Sequence, residues 1–169
     1  MSEQPRGDLP ALPADPIEEL PLIPVSAGAM IFDSLGRLLI LDPSYKKGWT
    51  IPGGVMEHWE SPWQACRREV YEECGLTVER GRLAAVDTRP AKLKRPTQLR
   101  LLFDCGQLDD ATLAGITLDD EEILAHRFVE PQEAIELLRP AVSRRVASAL
   151  ASPTCCYLED GRPVAGLIP

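Results

Sequence analysis

The sequence predicts a mixed α/β domain in which helices and a β-sheet pack in layers. Segments rich in small and β-branched residues, which are typical of strands, occur beside segments whose apolar residues recur at helical spacing. Their order is not a strict alternation of strand and helix, which argues against an all-parallel sheet. At 169 residues, the chain is long enough to bury a core as one domain without disulfides or structural metals.

The composition excludes several classes of protein. The chain has 18 Lys and Arg against 26 Asp and Glu, a net charge of -8, and lacks a dense basic run, which disfavours binding to nucleic acid. No segment has the basic start and apolar run of a signal peptide or the length of a membrane span. The five cysteines lack paired CxxC spacing, so we predict reduced thiols in a cytoplasmic protein.

The N-terminal third is predicted to contain an arm, a hairpin and a loop. Six of the 16 prolines fall in the first 24 residues, so residues 1–21 are predicted to be an extended or disordered arm. The runs "IPVSAGAMIFD" and "RLLILD" flank the turn "SLG" and predict a β-hairpin. The following "PSYKKGWTIPGG" is rich in Pro and Gly, which predicts a loop with a short strand around Trp49 to Ile51.

A helix is predicted from Pro62 to about Cys74. Ser61 is a favourable N-cap, Pro62 suits the first helical position, and Gln64 can reach back to the cap. Gly75 is a natural helix stop. One face of this helix is apolar and consists of Trp63, Cys66, Val70 and Cys74.

Acidic side chains crowd beside that apolar face. At about 100° per residue, three glutamates share an adjoining arc: Glu69, Glu72 and Glu73. Like charges one turn apart repel, typically by a few tenths of a kcal/mol per pair. Hard divalent cations such as Mg²⁺ prefer oxygen ligands and bridge carboxylates to phosphates, so metal binding would offset the repulsion. The alternative is a solvated helix face, the usual explanation of a charge run.

The rest of the chain completes the layered pattern. The segments "RLAAVDTR", "TQLRLLFDC" and "HRFVE" are predicted strands, and the basic loop "PAKLKRP" separates the first two. The segments "PQEAIELL" and "PAVSRRVASAL" are predicted amphipathic helices, each opened by a proline. We predict a domain over residues 22–152 and a tail over 153–169, with a small hairpin that is a candidate homodimer contact.

The glutamate-rich stretch also matches a known motif. Gly54, five residues, Glu60, seven residues and the run from Arg68 to Leu76 fit the pattern Gx5Ex7REUxEExGU, with U aliphatic, at every constrained position. The stretch therefore resembles the Nudix box, and the order of elements from Ile23 to about Leu150 is similar to the Nudix fold. The resemblance implies a mixed β-sheet sandwiched between helices.

The resemblance also implies a reaction. Nudix hydrolases use Mg²⁺, or Mn²⁺ as a substitute, to cleave a diphosphate bond in a nucleoside diphosphate linked to a moiety X. Depending on X, the substrate would be a nucleotide, ADP-ribose, a dinucleoside polyphosphate or a nucleotide sugar. The alternative is a non-catalytic Nudix-like module that senses a nucleotide. Loss of a metal glutamate would be typical of such a sensor, and none is lost in this sequence.

Roles for individual residues follow from the same resemblance. The implied metal ligands are the Gly53 carbonyl, Glu69, Glu72 and Glu73, and Glu69 is the implied general base. Arg68 is expected to hold the carboxylates in place, and Glu60 to support the site through Arg68 or a metal-bound water.

Several further assignments stay open. Family members often recruit another carboxylate from a remote loop, for which the candidates are Glu121 and Glu122, although an ordinary acidic loop explains them equally well. No substrate-binding residue is assigned. Two basic segments could meet a phosphate or be solvated turns: Tyr45, Lys46 and Lys47, and Lys92, Lys94 and Arg95. Trp59 is expected to pack over the helix start, with stacking on a base as the alternative.

Overall fold

The computed structural model describes residues 22–93 and 95–167, so the predicted arm over residues 1–21 lies outside the described residues. In the described part, the strands are β1 Val25–Phe32, β2 Leu38–Pro43, β3 Gly53–Val55, β4 Arg82–Arg89, β5 Gln98–Gln107, β6 Ile123–Val129, β7 Cys156–Glu159 and β8 Arg162–Pro163. The helices are α1 Pro62–Cys74, α2 Asp110–Leu113, α3 Pro131–Leu137 and α4 Pro140–Ala151. None of these helices combines the length and the apolarity needed to cross a bilayer.

All eight strands belong to one mixed sheet. Its order is β6-β2-β1-β5-β4-β7-β8, and β3 pairs with β1 outside this path. The pairs β1·β5 and β4·β7 are parallel, and the other pairs are antiparallel. Along one edge of β1, β2 pairs at Phe32 while β3 pairs at residues 26–28. Strand β3, which precedes α1, is therefore held against the start of β1.

Helices cover both faces of the sheet, as predicted. On one face, α1 buries Ala65, Cys66 and Val70 in a core shared with Ile31 and Leu39. On the other face, α3 and α4 pack on a second core that contains Met30, Leu102, Val142, Val146 and Leu158. Alternate residues of β1 enter opposite cores because successive side chains of a strand point to opposite faces. The mixed α/β fold class is confirmed.

Helix α1 begins and ends at the predicted residues. The Ser61 hydroxyl accepts a hydrogen bond from the Gln64 backbone N–H at 3.3 Å, and the Gln64 side chain accepts one from the Ser61 N–H at 2.7 Å. Gly75 ends the helix with φ 67°, a left-handed conformation that glycine adopts at little cost. Trp63 on the apolar face packs against Phe103, with ring centroids 5.1 Å apart.

Two local predictions are wrong. Residues 49–51 do not form a strand, because Trp49 bridges to Leu138 and Thr50 to Leu41, so neighbouring residues pair with different segments. The short strand lies instead at Gly53–Val55. Trp59 does not pack over the helix start: it adopts φ 70° in the turn before α1, and its side chain is fully exposed.

The C-terminal half contains one element that was not predicted and one that was. The sequence reading missed the short helix α2, which the Asp109 carboxylate caps by accepting from the Thr112 N–H at 2.8 Å. The predicted tail hairpin forms between β7 and β8, and β7 also extends the main sheet by pairing with β4. The tail is therefore part of the main sheet on which the helices pack.

Candidate active site

A cavity of about 490 Å³ lies where β1, β3, β5 and α1 meet. Its lining includes two groups of charged side chains. The first, termed here the carboxylate cluster, consists of Glu69, Glu73 and Glu122. The second, termed the basic cluster, consists of Lys46, Arg100, Arg139 and Arg145. Both signs of charge therefore face the same open cavity.

Two adjacent glycines let β3 lie close to β1 and to α1. Gly53 adopts φ 142°, and a Cβ atom there would lie 2.6 Å from the Gly28 Cα in the neighbouring strand. The Gly53 N–H donates a hydrogen bond to Glu73 Oε2 at 2.8 Å. At Gly54, a Cβ atom would lie 2.5 Å from Cδ of Glu69. Only a residue without a side chain leaves room for the Glu69 carboxylate, which explains the first glycine of the box in physical terms.

Burial and mutual repulsion perturb the carboxylates. Glu73 is 3% exposed, and its burial raises its pKa to about 8, against the hydrogen bond from Gly53, while Glu69 and Glu122 raise it further. Burial also raises the pKa of Glu69, and Arg68 partly counters this. Carboxylates that are buried together at this cost are suited to a bound cation, which would favour their ionised forms.

Arg68 links the box carboxylates to one another. Its guanidinium donates to Glu60 through Nε and Nη2 at 3.1 and 2.8 Å, to Glu69 at 2.9 Å and to Glu72 at 2.8 Å. The same group donates to the Val55 carbonyl at 3.1 Å, which ties it to β3. The bond from Arg68 lowers the pKa of Glu60, and the bond to Glu60 raises that of Arg68. The contacts expected of Arg68 and Glu60 are therefore present.

The structure brings some of the predicted ligands together and leaves others apart. Gly53, Glu69, Glu73 and Glu122 line the cavity. Glu72 and Glu121 are absent from this lining: Glu72 is 52% exposed and bonded to Arg68, and the Glu121 backbone carbonyl accepts from Ser44 Oγ at 2.8 Å. In residues 22–93 and 95–167, no three Asp, Glu, His or Cys side chains stand in a geometry that could hold a metal ion.

The sequence reading missed most of the basic cluster. Tyr45 and Lys46 line the cavity, in keeping with one of the two readings of their loop, whereas Lys47 does not. Arg100 and Arg145 were not anticipated, although each left a signal. Arg100 interrupts the apolar run of β5, and Arg145 lies on the buried face of α4. A charged residue at an apolar position of a strand or helix is a reason to look for a partner or a ligand.

Comparison with known proteins agrees with this geometry. Residues 22–150 match the NUDIX domain. A MutT-like protein of Streptomyces ambofaciens is 30% identical over 132 residues, which are 77% of this chain and 79% of that protein. Diphosphoinositol polyphosphate phosphohydrolase 3-beta of Homo sapiens is 38% identical over 73 residues, which are 43% of this chain and 44% of that protein.

Solved structures show the same fold. The MutT protein from Methanosarcina mazei Go1 superposes with a TM-score of 0.63 at 23% identity, covering 77% of this chain and 96% of that one. A C. elegans Ap4A hydrolase superposes with a TM-score of 0.62 at 23% identity, covering 76% and 96%.

The chain therefore belongs to the Nudix family. It is a pyrophosphohydrolase, as the box predicted, of a family that generally uses divalent metals.

Proposed function

We propose that the chain cleaves a diphosphate bond in a nucleoside diphosphate linked to a moiety X, with Mg²⁺ as its cofactor and Mn²⁺ as a possible substitute. The strongest support is the convergence of Glu69 and Glu73 from α1 with Glu122, which is about fifty residues away in sequence, on one cavity. All three are oxygen donors of the kind that Mg²⁺ and Mn²⁺ prefer. The raised pKa values of Glu69 and Glu73, and the repulsion between the carboxylates, also fit a cation site.

The residues that would hold the cation are Glu69, Glu73 and Glu122, with the Gly53 carbonyl and Glu72 as further ligands. Their side chains would have to move toward the cation, because in the described residues they do not form a metal-binding group as they stand and Glu72 lies outside the cavity lining. When bound, the cation supplies neutralisation of the diphosphate charge and a lower pKa for a coordinated water. Arg68 binds one oxygen each of Glu69 and Glu72 and thereby sets the direction in which the other oxygens point. Glu60 fixes Arg68 in turn.

Glu69 is the proposed general base. Its carboxylate would take a proton from water as the water oxygen bonds to phosphorus and the bridging P–O bond of the diphosphate breaks, with the other phosphate as leaving group. Burial raises the pKa of Glu69, which makes the carboxylate a better proton acceptor. Gly54 leaves space directly beside this carboxylate. Arg68 and Glu60 do not line the cavity, so their proposed role is to position Glu69 rather than to touch substrate.

The names of two similar proteins support a phosphoanhydride substrate. One is described as a diphosphoinositol polyphosphate phosphohydrolase and another as an Ap4A hydrolase. A cytoplasmic location is proposed as well. The five cysteines are all free thiols, as expected in a reducing compartment.

A hydrolysis screen tests the proposal. NTPs, ADP-ribose, dinucleoside polyphosphates and nucleotide sugars would be offered with Mg²⁺ or Mn²⁺, and the products identified by mass. In Glu69→Gln we expect kcat to fall by about 100-fold or more, the size of a lost catalytic group. Glu122→Gln should lose about tenfold, and Glu121→Gln less than threefold, because only the Glu122 side chain lines the cavity.

Two results would contradict the proposal. Equal losses in Glu121→Gln and Glu122→Gln would remove Glu122 from the site. If no substrate is turned over and Glu69→Gln binds nucleotides as the parent does, the alternative of a nucleotide sensor would replace the enzyme.

A further inference from the structure

Positive charge is concentrated beside the cavity of this acidic chain. Four arginines, termed here the arginine cluster, lie at the end of β4, in the following loop, in β5 and just before α4: Arg89, Arg95, Arg100 and Arg139. Arg100 and Arg139 line the cavity with Lys46. Arg89 and Arg95 are close enough to Arg100 to lower its pKa, so the grouping of these like charges in a chain of net charge -8 calls for a physical reason.

Each arginine of the cluster has an unsatisfied donor. The Nε atoms of all four are buried and find no hydrogen-bond acceptor within residues 22–93 and 95–167. Two of the side chains donate through Nη2 instead: Arg100 to Gln98 Oε1 at 3.0 Å, and Arg95 to the Pro90 carbonyl at 3.1 Å. Buried donors in native proteins almost always have partners. Four buried donors without a partner therefore indicate an acceptor that the described part of the chain does not provide.

Two nearby carboxylates, those of Asp87 and Asp160, pair with arginines outside the arginine cluster. Asp87 is buried and paired with Arg145, with Nε and Nη2 of the arginine each 2.9 Å from one carboxylate oxygen. Asp160 pairs with Arg144 at 3.0 Å. These aspartates offset part of the charge on Arg89 and Arg100, but among the described residues neither accepts a hydrogen bond from the arginine cluster.

Burial and the neighbouring cations lower the pKa values of Arg100 and Lys46. Burial, together with Arg145 and Arg89, lowers the pKa of Arg100 to about 10. Burial, together with Arg139, Arg100 and Arg89, lowers the pKa of Lys46. Water could satisfy the free N–H groups but would leave the repulsion in place. An anion would satisfy the donors and offset the charge, and a phosphate matches the planar fork of a guanidinium.

We propose that the arginine cluster and Lys46 form a second phosphate-binding site, which holds a phosphate of the substrate other than the diphosphate that is cleaved. The site presupposes the metal-dependent hydrolysis proposed above, because the carboxylate cluster in the same cavity is assigned to the scissile diphosphate. The favoured substrates then carry at least one additional phosphate, either in a linear polyphosphate chain or as monoesters on a ring. ADP-ribose and nucleotide sugars, with a lone diphosphate, would leave the arginines unpaired.

The test is a binding measurement without metal, so that it does not depend on turnover. The full chain in EDTA would be titrated by calorimetry with inorganic tripolyphosphate, inositol hexakisphosphate and ADP-ribose. We expect one or both polyphosphates to bind at least about tenfold more tightly than ADP-ribose, with affinity falling as salt rises. The better of the two probes distinguishes a linear chain from a ring of monoesters.

Matched variants locate the binding. Arg100→Gln and Arg139→Gln should each weaken polyphosphate binding by about tenfold, the loss of one charge-assisted contact. Arg80→Gln removes the same charge from an exposed residue outside the cavity and should change binding less than twofold. Circular dichroism would confirm folding of each variant. If Arg100→Gln does not fold, Arg139→Gln carries the test, because residue 139 lies outside the regular helix and strand segments.

Two outcomes would overturn the site: no metal-free binding of either polyphosphate, or equal losses in Arg80→Gln and the two cavity variants, which would show general electrostatic attraction. Failure of the hydrolysis proposal looks different. Polyphosphate binding that depends on Arg100, with no turnover of any substrate, would retain this site and remove the catalytic role. Hydrolysis confined to ADP-ribose, without polyphosphate binding, would retain the catalytic role and remove this site.

Discussion

The carboxylate of Glu69 lies against the backbone of Gly54, so that a Cβ atom on residue 54 would come within 2.5 Å of Glu69 Cδ. The obstructed atoms belong to the end of a flexible side chain, so the carboxylate can swing away. We therefore expect Gly54→Ala to fold and to lose about 100-fold in kcat, since misplacing a catalytic group by about 1 Å has that effect.

Activity and thermal unfolding measured on the same preparation would check this prediction. Gly115→Ala is the control, because the single close neighbour of its added Cβ is the Thr112 carbonyl at 3.2 Å. Full activity in Gly54→Ala would contradict the assignment of Glu69 as the base.

Gly53→Ala, unlike Gly54→Ala, should destabilise the fold. Gly53 has φ 142°, and its added Cβ would lie 2.6 Å from the Gly28 Cα, which is backbone and cannot move aside. We expect a loss of roughly 2–4 kcal/mol in the free energy of unfolding, from strain and overpacking. Urea unfolding monitored by tryptophan fluorescence measures it. A change below about 0.5 kcal/mol would mean that β3 can shift away from β1.

Replacing Arg68 by lysine keeps the positive charge but removes the planar guanidinium and its several N–H donors. Arg68 donates to Glu60, Glu69 and Glu72 and to the Val55 carbonyl, and a lysine ammonium cannot span these acceptors at once. We expect kcat to fall by about 10- to 100-fold with little change in KM, because the lost contacts position Glu69 and not the substrate.

Steady-state kinetics of Arg68→Lys beside Arg67→Lys would test this, since Arg67 is an exposed neighbour on the same helix. A rise in KM alone would assign Arg68 to substrate binding instead.

The stability of the metal-free protein should fall as pH rises. The pKa of Glu73 is about 8 in the folded chain against an ordinary value of 4.5, so between these values the folded state binds more protons than the unfolded state. The free energy of unfolding therefore decreases with pH across this window, by on the order of a few kcal/mol from this group.

Glu73→Gln should remove part of that slope. Thermal melts in EDTA at pH 5.5 and 8.5 would show a smaller drop for the variant than for the parent. Identical slopes would indicate that Glu73 is ionised in the folded protein even without a cation.

The buried pair Asp87–Arg145 should matter more for stability than any exposed pair. Asp87 accepts from Arg145 at 2.9 Å and from the Gly161 N–H at 2.8 Å, so it also holds the turn between β7 and β8. Breaking one partner of a buried pair typically costs 3–5 kcal/mol, and we expect about this loss in Asp87→Ala. Glu133→Gln, which breaks an exposed pair with Arg127, should cost less than about 1 kcal/mol. Chemical unfolding of both variants makes the comparison, and equal losses would contradict it.

Local structure was the most predictable part of this protein. The ends of α1 depend on bonds between Ser61 and Gln64 and on the conformation of Gly75, all of which involve residues within a few positions of one another. The strand at Gly53–Val55 was harder to predict, because it is defined by pairing with β1 rather than by its own residues. Trp59 was misjudged because its exposure follows from a left-handed backbone that the residue type does not signal.

The sequence by itself determined the family, the box helix and the arc of carboxylates, because those follow from spacing along a single segment. Only the tertiary structure decided which distant residues meet. Glu122 rather than Glu121 enters the cavity, and Arg100 and Arg139 join it from β5 and from the start of α4. The physical reason is that the cavity forms where the order and register of β1, β3 and β5 bring separate segments together, and that register is set by packing across the whole sheet, not by local periodicity.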